Sequence, residues 1–152
     1  EALEIEQTES EELEPLNPLL TESAEHFMAL VDAPYTLKDK MQLHPTEIRT
    51  LSLIASEGSI TLTQLSQRTG NSKSAVSKPI RRLCEKALID KTPTPGNARE
   101  NQLTLKVKGK TALSEVKTLM TRRFESLQTL EASLSPKEYK IITAFLRAVN
   151  QL

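Results

Sequence analysis

The sequence predicts a mainly α-helical fold with a small β-hairpin, which places this chain of 152 residues in the α+β class. Apolar residues recur at spacings of three and four along most of the chain, as in amphipathic helices. Between residues 88 and 107 the pattern changes to alternation on both sides of a tip rich in proline and glycine, which is typical of a hairpin. The length fits one domain, or one small domain with a dimerisation region.

The composition is that of a globular protein, with 38% apolar and 26% charged residues. No apolar run approaches the length of a membrane span, so no transmembrane helix is predicted. The single cysteine excludes a disulfide within the chain and is compatible with a reducing compartment. We therefore expect a cytoplasmic protein.

The net charge of zero hides a strong segregation of charge. Residues 1–25 contain nine glutamates and no lysine or arginine. Residues 61–110 contain eleven lysines and arginines against three acidic residues, a balance of +8. A basic centre of this kind indicates a polyanionic partner. Residues 1–15 are expected to form a disordered acidic tail, either a solvated arm or a phosphate mimic lying over the basic groove.

Residues 16–43 are predicted to form an N-terminal helix and a connector, as part of a dimerisation region. Asn17 and Pro18 predict the start of the helix, as an N-cap followed by proline at the first helical position. The helix is expected to end at Asp32, and the connector is expected to contain at most one short helical turn.

A second helix is predicted from residues 44–47, and its end is expected at Gly58. It begins the region 44–107, which is predicted to form one domain. The expected buried face of this helix contains Ile48, Leu51 and Ile54.

Residues 61–88 predict two helices joined by a turn of about four residues, the spacing of a helix-turn-helix. Gly70 lies in the turn, where a residue that tolerates positive φ is required. Thr61 and Gln64 have capping-box spacing for the first helix, and Ser72 is a suitable N-cap for the second.

The second of these helices, residues 72–88, is the candidate recognition helix. One face of this helix is apolar and is expected to be buried. The remaining faces have short hydroxyl and long basic side chains, which suit the major groove of DNA. Short hydroxyls let the backbone approach the base edges, and long cations reach phosphates or guanine. The expected buried face contains Val76, Ile80, Leu83, Cys84 and Ala87. The predicted DNA contacts are Ser72, Lys73, Ser74, Ser77, Lys78, Arg81 and Arg82.

Residues 89–107 predict a wing, which is a hairpin that follows a helix-turn-helix. The wing completes a winged helix-turn-helix DNA-binding domain that spans residues 44–107. Its strands are expected at residues 88–92 and 101–107. Proline cannot donate a ladder hydrogen bond, so Pro93 and Pro95 indicate that the first strand is short and lies at an edge. The wing is expected to present Lys91, Arg99, Lys106 and Lys108 to DNA; of these, Lys91 and Arg99 join the predicted binding set.

Residues 108–152 predict C-terminal dimerisation helices. One helix is expected from about residue 108 to residue 130. A capping box with proline at the first helical position, at residues 135–138, predicts the start of the last helix. These helices have more apolar surface than one small domain can cover, so we expect a second copy of the chain to bury it.

The order of these parts resembles the multiple-antibiotic-resistance regulator (MarR) family of bacterial winged-helix repressors. The sequence SKSAVSKPIRRLCEKALI at residues 72–89 is similar to the recognition helix of that family, and LTLKVKGK at residues 103–110 is similar to the end of its wing. The resemblance implies a transcriptional regulator that binds a palindromic operator as a homodimer. In many members of the family a small ligand or an oxidant lowers the DNA affinity.

Three positions depart from the family pattern. The wing of the family usually has Asp-x-Arg at its tip, whereas residues 97–99 are NAR here, so the arginine is retained without its orienting carboxylate. Arg99 is therefore a minor-groove candidate with looser positioning. Asn71 stands where the family usually has an apolar residue, and Pro79 lies inside the recognition helix, where it predicts a kink.

No catalytic or cofactor site is predicted. The sequence has no glycine-rich phosphate loop and no Ser/His/Asp arrangement, so we expect neither an enzyme nor a bound cofactor. His26 and His44 lack the partners of a closed metal site. Cys84 shares an apolar helix face, which favours a buried core thiol over a redox sensor.

Three classes of function are open at this point. The first is a dimeric, sequence-specific DNA-binding regulator. The second is a winged-helix module for protein–protein contacts, with the acidic N-terminal tail as its binding arm. The third is a ligand-sensing protein whose DNA binding is secondary. The basic recognition face favours the first class over the second, because a protein-binding module does not require a balance of +8.

Overall fold

The computed structural model describes residues 15–151, except for the side chains of Ala98 and Arg99. The acidic tail predicted for residues 1–15 therefore lies almost entirely outside the described residues. The described chain has seven helices and five short strands, so the predicted mainly α fold with a small hairpin is confirmed. The helices are α1 (Leu16–Asp32), α2 (Pro45–Glu57), α3 (Leu62–Thr69), α4 (Lys73–Glu85), α5 (Val107–Arg123), α6 (Glu125–Ser133) and α7 (Pro136–Val149). The strands are β1 (Tyr35–Thr36), β2 (Gln42–Leu43), β3 (Ser59–Thr61), β4 (Ile89–Thr94) and β5 (Asn97–Leu105).

The chain divides into two compact units, Glu1–Asp32 and Ala33–Leu152. The first unit contains α1, which begins one residue earlier than the predicted cap, so the assignment of Asn17 as N-cap was wrong. Asn17 lies in the first turn, and its carbonyl accepts a hydrogen bond of 2.9 Å from the Thr21 hydroxyl. Pro18 is tolerated there because the first N–H groups of a helix have no intrahelical acceptor.

The connector before α2 forms a small hairpin instead of the helical turn that the sequence suggested. β1 and β2 pair antiparallel. The Leu37 N–H donates to the Met41 carbonyl at 2.8 Å, and Lys40 adopts a positive φ of 64° to close the loop. A two-residue strand is too short to produce a recognisable alternation, which explains why the sequence pattern missed it.

The predicted ends of α2 and α3 are confirmed. Gly58 ends α2 with a φ of 73°, and Gly70 ends α3 in the left-handed conformation with a φ of 65°. The Thr61 hydroxyl accepts from the Gln64 N–H at 3.2 Å, and the Gln64 side chain accepts from the Thr61 N–H at 2.9 Å. This reciprocal pair is the predicted capping box.

A buried ion pair joins the start of α2 to the end of α4. The Glu47 side chain is fully buried, and its Oε1 lies 2.7 Å from Lys86 Nζ. The other carboxylate oxygen accepts the His44 N–H at 2.8 Å, while Lys86 Nζ also donates to the Gln42 carbonyl at 2.7 Å. The charged groups thus have hydrogen-bond partners, as buried charges require.

The candidate recognition helix α4 ends at Glu85, three residues before the predicted end. The Leu88 N–H donates to the Leu83 carbonyl and the Ala87 N–H to the Cys84 carbonyl, both at 2.9 Å. This bonding pattern is a Schellman motif, which needs a left-handed residue after the helix. Ala87 occupies that position with a φ of 57°.

The wing is part of a three-stranded antiparallel sheet with the order β3-β5-β4. The predicted edge position of the first wing strand is confirmed, although this strand extends to Thr94. The register shifts between Pro93 and Thr94, and Thr94 pairs with Asn97. The tip is therefore only two residues long, with Gly96 at a φ of 78°, the sign that a type II turn requires after proline.

The predicted single helix from residue 108 to residue 130 is two helices in the structure. The break lies at Phe124, whose φ of −100° and ψ of 6° depart from helical values. At the other end, Gly109 permits close packing of α5 on the base of the wing. A Cβ at Gly109 would lie against the carbonyl oxygen of Leu88 and within 2.7 Å of Leu105 Cδ1.

The C-terminal end of α5 binds the segment that precedes β1. The Arg123 guanidinium lies 3.4 Å from the centre of the Tyr35 ring. The same group donates to the carbonyl oxygens of Ala33 at 2.7 Å and Pro34 at 2.8 Å. Stacking and hydrogen bonding together fix this segment on α5.

The start signal of α7 is confirmed as well. The Ser135 hydroxyl accepts from the Glu138 N–H, and the Glu138 carboxylate accepts from the Ser135 N–H at 2.8 Å. The Ser135 hydroxyl and N–H also lower the pKa of the Glu138 carboxyl below its ordinary value. No helix among the described residues has both the length and the hydropathy needed to cross a membrane.

Candidate nucleic-acid interface

The core holds α4 by its apolar side and leaves its polar side accessible. Val76, Ile80 and Leu83 are buried in the core, as predicted. The prediction was wrong for Ala87, which is exposed beyond the end of the helix, and Cys84 is only half-buried. Ser72 is the N-cap, and its hydroxyl accepts from the Ala75 N–H at 3.2 Å. Because residues three and four apart share a helix face, this packing points the Lys/Ser-rich side of α4 away from the core.

An open groove of about 880 Å³ runs between α4, the start of α3 and the wing. Its apolar lining includes Leu62, Ile80 and Leu103. Six of the nine residues that the sequence predicted to contact DNA line this groove. They are Lys73, Ser74, Ser77, Lys78, Arg81 and Lys91.

The hydroxyls on α4 are already bonded within the helix. The Ser77 hydroxyl donates to the Lys73 carbonyl at 2.7 Å, so its oxygen is left as an acceptor. Ser72 Oγ lies 2.9 Å from Ser74 Oγ in addition to its capping bond. Ser72 therefore has a structural role at the helix start, while Ser74 and Ser77 are exposed on the outer side of α4.

The basic side chains of the groove differ in their partners. The Arg81 guanidinium lies 3.7 Å from the Glu85 carboxylate, and both side chains are exposed, so this ion pair is weak. Lys73, Lys78 and Lys91 form no ion pair with any other described residue. The groove therefore has unpaired cations available to an anion.

Four other basic residues that were expected to face DNA are placed differently. Arg82 is half-buried and lines a separate groove between α4 and α2. Arg99 lies in β5, with its side chain outside the described part of the chain. At the base of the wing, Lys106 pairs with Asp90 at 3.0 Å and Lys108 with Asp39 at 3.7 Å. The lysines at the wing base are therefore paired with carboxylates, but both ion pairs are largely exposed and weak, like the Arg81–Glu85 pair.

Sequence patterns missed several polar residues of the groove. Thr63 at the start of α3, and Glu100 and Asn101 on β5, line it together with the predicted set. Their only sequence signal is their position near a cap and on a short strand. Glu100 adds a negative charge to a basic surface, which would oppose a phosphate at that end of the groove.

Cys84 and the histidines provide no sign of a reactive or metal site. Cys84 is half-buried against the core, and burial raises the pKa of its thiol above the ordinary value, so it is a protonated thiol at neutral pH. Within the described part of the chain, no three His, Cys, Asp or Glu side chains lie close enough together to hold a metal ion.

The comparisons with known proteins agree with this geometry. Residues 41–100 match the model of the MarR family. A search of the curated proteins found no match to the chain.

Among solved structures, a mutant of Lactococcus lactis ZitR in complex with DNA has a TM-score of 0.69 at 20% identity, and the match covers 90% of this chain and 97% of that chain. A mutant of E. coli MarR complexed with operator DNA has a TM-score of 0.60 at 19% identity, over 89% and 93% of the two chains. Bordetella bronchiseptica BpsR, whose DNA binding is regulated by 6-hydroxynicotinic acid, has a TM-score of 0.59 at 21% identity, over 91% and 95%. At these identities the likeness shows a shared fold.

Proposed function

We propose that this chain, in which residues 41–100 match the model of the MarR family, is a DNA-binding transcription regulator that acts as a homodimeric repressor on a palindromic operator. Recognition helix α4 would enter the major groove, and the wing would lie along the adjacent backbone or minor groove. In this assignment Ser74, Ser77 and Arg81 approach the bases. The cations Lys73, Lys78 and Lys91 contact phosphates.

The observation that supports DNA binding most directly is the groove between α4 and the wing. It brings together six residues from two separate segments of the chain, with short hydroxyls beside unpaired cations. This mixture supplies both of the contacts that operator binding needs, which are backbone positioning and base-edge recognition. An interface for an acidic protein would need the cations but not the small hydroxyls on the exposed face of the helix.

The proposed homodimer is supported by an exposed apolar face on the last helices. Leu130 of α6 is 63% exposed and Ile141 of α7 is 59% exposed. No residue of α6 or α7 is buried. Large apolar patches on one chain indicate a protein interface. The exposed apolar residues of α7 are Tyr139, Ile141, Ile142, Phe145 and Leu146.

The symmetry of the proposed homodimer determines the symmetry expected of its operator. A homodimer with twofold symmetry presents two copies of α4, so its operator is expected to be palindromic with half-sites about one helical turn apart. We also propose that a small ligand releases the dimer from DNA. The regulation of BpsR by 6-hydroxynicotinic acid supports this part by analogy of fold.

A mobility-shift assay against the DNA that flanks the gene of this protein tests the proposal. We expect a shifted band that survives an excess of random duplex, and loss of this preference in Arg81→Ala. The competing function is a protein-binding module with the acidic tail as its arm. That function predicts no operator preference in the wild-type protein and no effect of Arg81→Ala on DNA binding.

A further inference from the structure

A second groove lies on the other flank of α4, between α4 and α2, with a volume of about 560 Å³. Three basic side chains line it, and they are Arg49 of α2 together with Lys78 and Arg82 of α4. Ala75 and Pro79, which have small side chains, line it as well and leave it open. Arg49 was not among the residues that the sequence suggested for DNA binding.

The three cations of this second groove are not neutralised by the protein. Arg49 and Lys78 are exposed, and Arg82 is half-buried. None of the three side chains forms an ion pair or hydrogen bond with another described residue. Like charges gathered around one groove repel each other, and a bound anion would relieve that repulsion.

The helical positions place the two grooves on opposite flanks of α4. Each residue advances 100° around an α-helix of 3.6 residues per turn, so Arg82 lies well away from Ser77 and Arg81. Lys78 lines both grooves and therefore lies on the outward ridge between them. The buried residue Leu83 lies on the opposite side from this ridge.

The dimensions of DNA explain why cations on both flanks of α4 would each meet a phosphate backbone. The major groove is about 12 Å wide and is bounded by two sugar–phosphate backbones. A helix with its side chains is about 10–12 Å across, so a helix inserted in the groove has one backbone along each flank. The groove between α4 and the wing supplies cations for one backbone. The groove between α4 and α2 supplies cations for the other.

We propose, on the basis of the proposed function, that Arg49 and Arg82 form a phosphate-binding site for the backbone on the flank of α4 that faces away from the wing. Phosphate contacts fix the orientation of a protein on the duplex and contain no sequence information. Arg49 suits this role because α2 is held firmly in the core by Leu51 and Ile54, both of which are fully buried. The site thus positions α4 from a second helix.

Salt-dependent binding to a random-sequence duplex tests this site without knowledge of the operator. Each lost phosphate contact makes the slope of log K against log[salt] shallower by about 0.9, so a homodimer that loses one contact per protomer should change by about 1.8. We expect this decrease in Arg49→Gln and again in Arg82→Gln, with a smaller effect in Arg49→Lys, which keeps the charge. Arg122→Gln, at the far end of α5, is the matched control and should keep the wild-type slope. Melting temperatures verify that each variant is folded.

A second measurement distinguishes phosphate contacts from base contacts. Arg49→Gln should weaken binding to an operator duplex and to a random duplex by the same factor. Unchanged slope and affinity in Arg49→Gln, with steep wild-type binding, would overturn the second phosphate site alone. A selective loss of operator binding would also overturn it, since it would make Arg49 a base contact. Wild-type protein that binds no duplex would overturn the proposed function together with this site.

Discussion

Ala87 ends the recognition helix in a backbone conformation that favours glycine. Its φ of 57° lies in the left-handed region, where a Cβ is unfavourable by about 1–2 kcal/mol. The Schellman hydrogen bonds of Leu88 and Ala87 enforce this conformation. A sequence pattern locates such helix ends through glycine, which explains why the predicted helix continued to residue 88.

Ala87→Gly is expected to stabilise the protein. Relief of the left-handed strain should exceed the extra entropy of the unfolded chain and raise the free energy of unfolding by about 1 kcal/mol. Urea denaturation at a fixed protein concentration measures this change. Ala55→Gly, at an exposed position within α2, is the control and should lower the free energy of unfolding by about 0.5–1 kcal/mol. A lower stability of Ala87→Gly would contradict the strain argument.

The Glu47–Lys86 pair predicts a non-additive pair of substitutions. Lys86→Met leaves the fully buried Glu47 carboxylate without its cation and should cost about 3–5 kcal/mol. In a Glu47→Gln background the same substitution should cost much less, because no charge is left unpaired. A double-mutant cycle by urea denaturation measures the coupling. Equal costs in the two backgrounds would show that the ion pair does not contribute as described.

Among the helices, capping residues were sufficient to predict the starts of three of them from the sequence. Capping residues at Thr61, Ser72 and Ser135 predicted the starts of α3, α4 and α7, because a cap acts within about one turn. The break at Phe124 has no such signal. Apolar residues continue with helical spacing through it, so the period alone indicated one long helix.

Within the helices, Pro79 is the residue that is expected to have the largest effect on stability. α4 continues through Pro79, although a proline in a helix interior deletes one hydrogen bond and costs about 3 kcal/mol. Pro79→Ala should therefore raise the melting temperature. Because Ala75 and Pro79 also line the groove on the α2 flank, the same substitution should change the affinity for DNA.

Thermal denaturation and operator titration of Pro79→Ala provide the two readouts. A higher melting temperature with altered affinity would support a kink that sets the direction of the Lys73 end of α4 relative to the Arg81 end. An unchanged melting temperature together with unchanged affinity would mean that the proline is merely tolerated at this position.

For the whole molecule, the sequence predicted the exposed polar side of α4 but could not place the elements that pack beside it. A helical wheel separates Val76 and Ile80 from the basic residues, and the structure agrees with that separation. The division of the cations between two flanks depends on where α2 and the wing pack, which no local pattern contains. Arg49 and Arg82 were therefore missed as a pair.

The exposed apolar face of α6 and α7 predicts the oligomeric state. Light scattering at micromolar concentration should give twice the chain mass of 17.0 kDa. Ile141→Glu and Phe145→Glu, on the exposed face of α7, should shift the mass toward that of one chain, because a charge in an apolar interface is unfavourable. Wild-type protein that scatters as a clean monomer would contradict the proposed homodimer.

The proposed function requires that α4 binds duplex DNA through cations and recognises its operator through base contacts. The most direct test is an equilibrium titration of the wild-type protein and Arg81→Ala, with operator and random duplexes over a series of salt concentrations. We predict a slope of log K against log[salt] steeper than about −5 for the wild-type dimer. Arg81→Ala should lose about 1–3 kcal/mol of preference for the operator. Equal wild-type affinity for the two duplexes, unaltered by Arg81→Ala, would contradict the assignment.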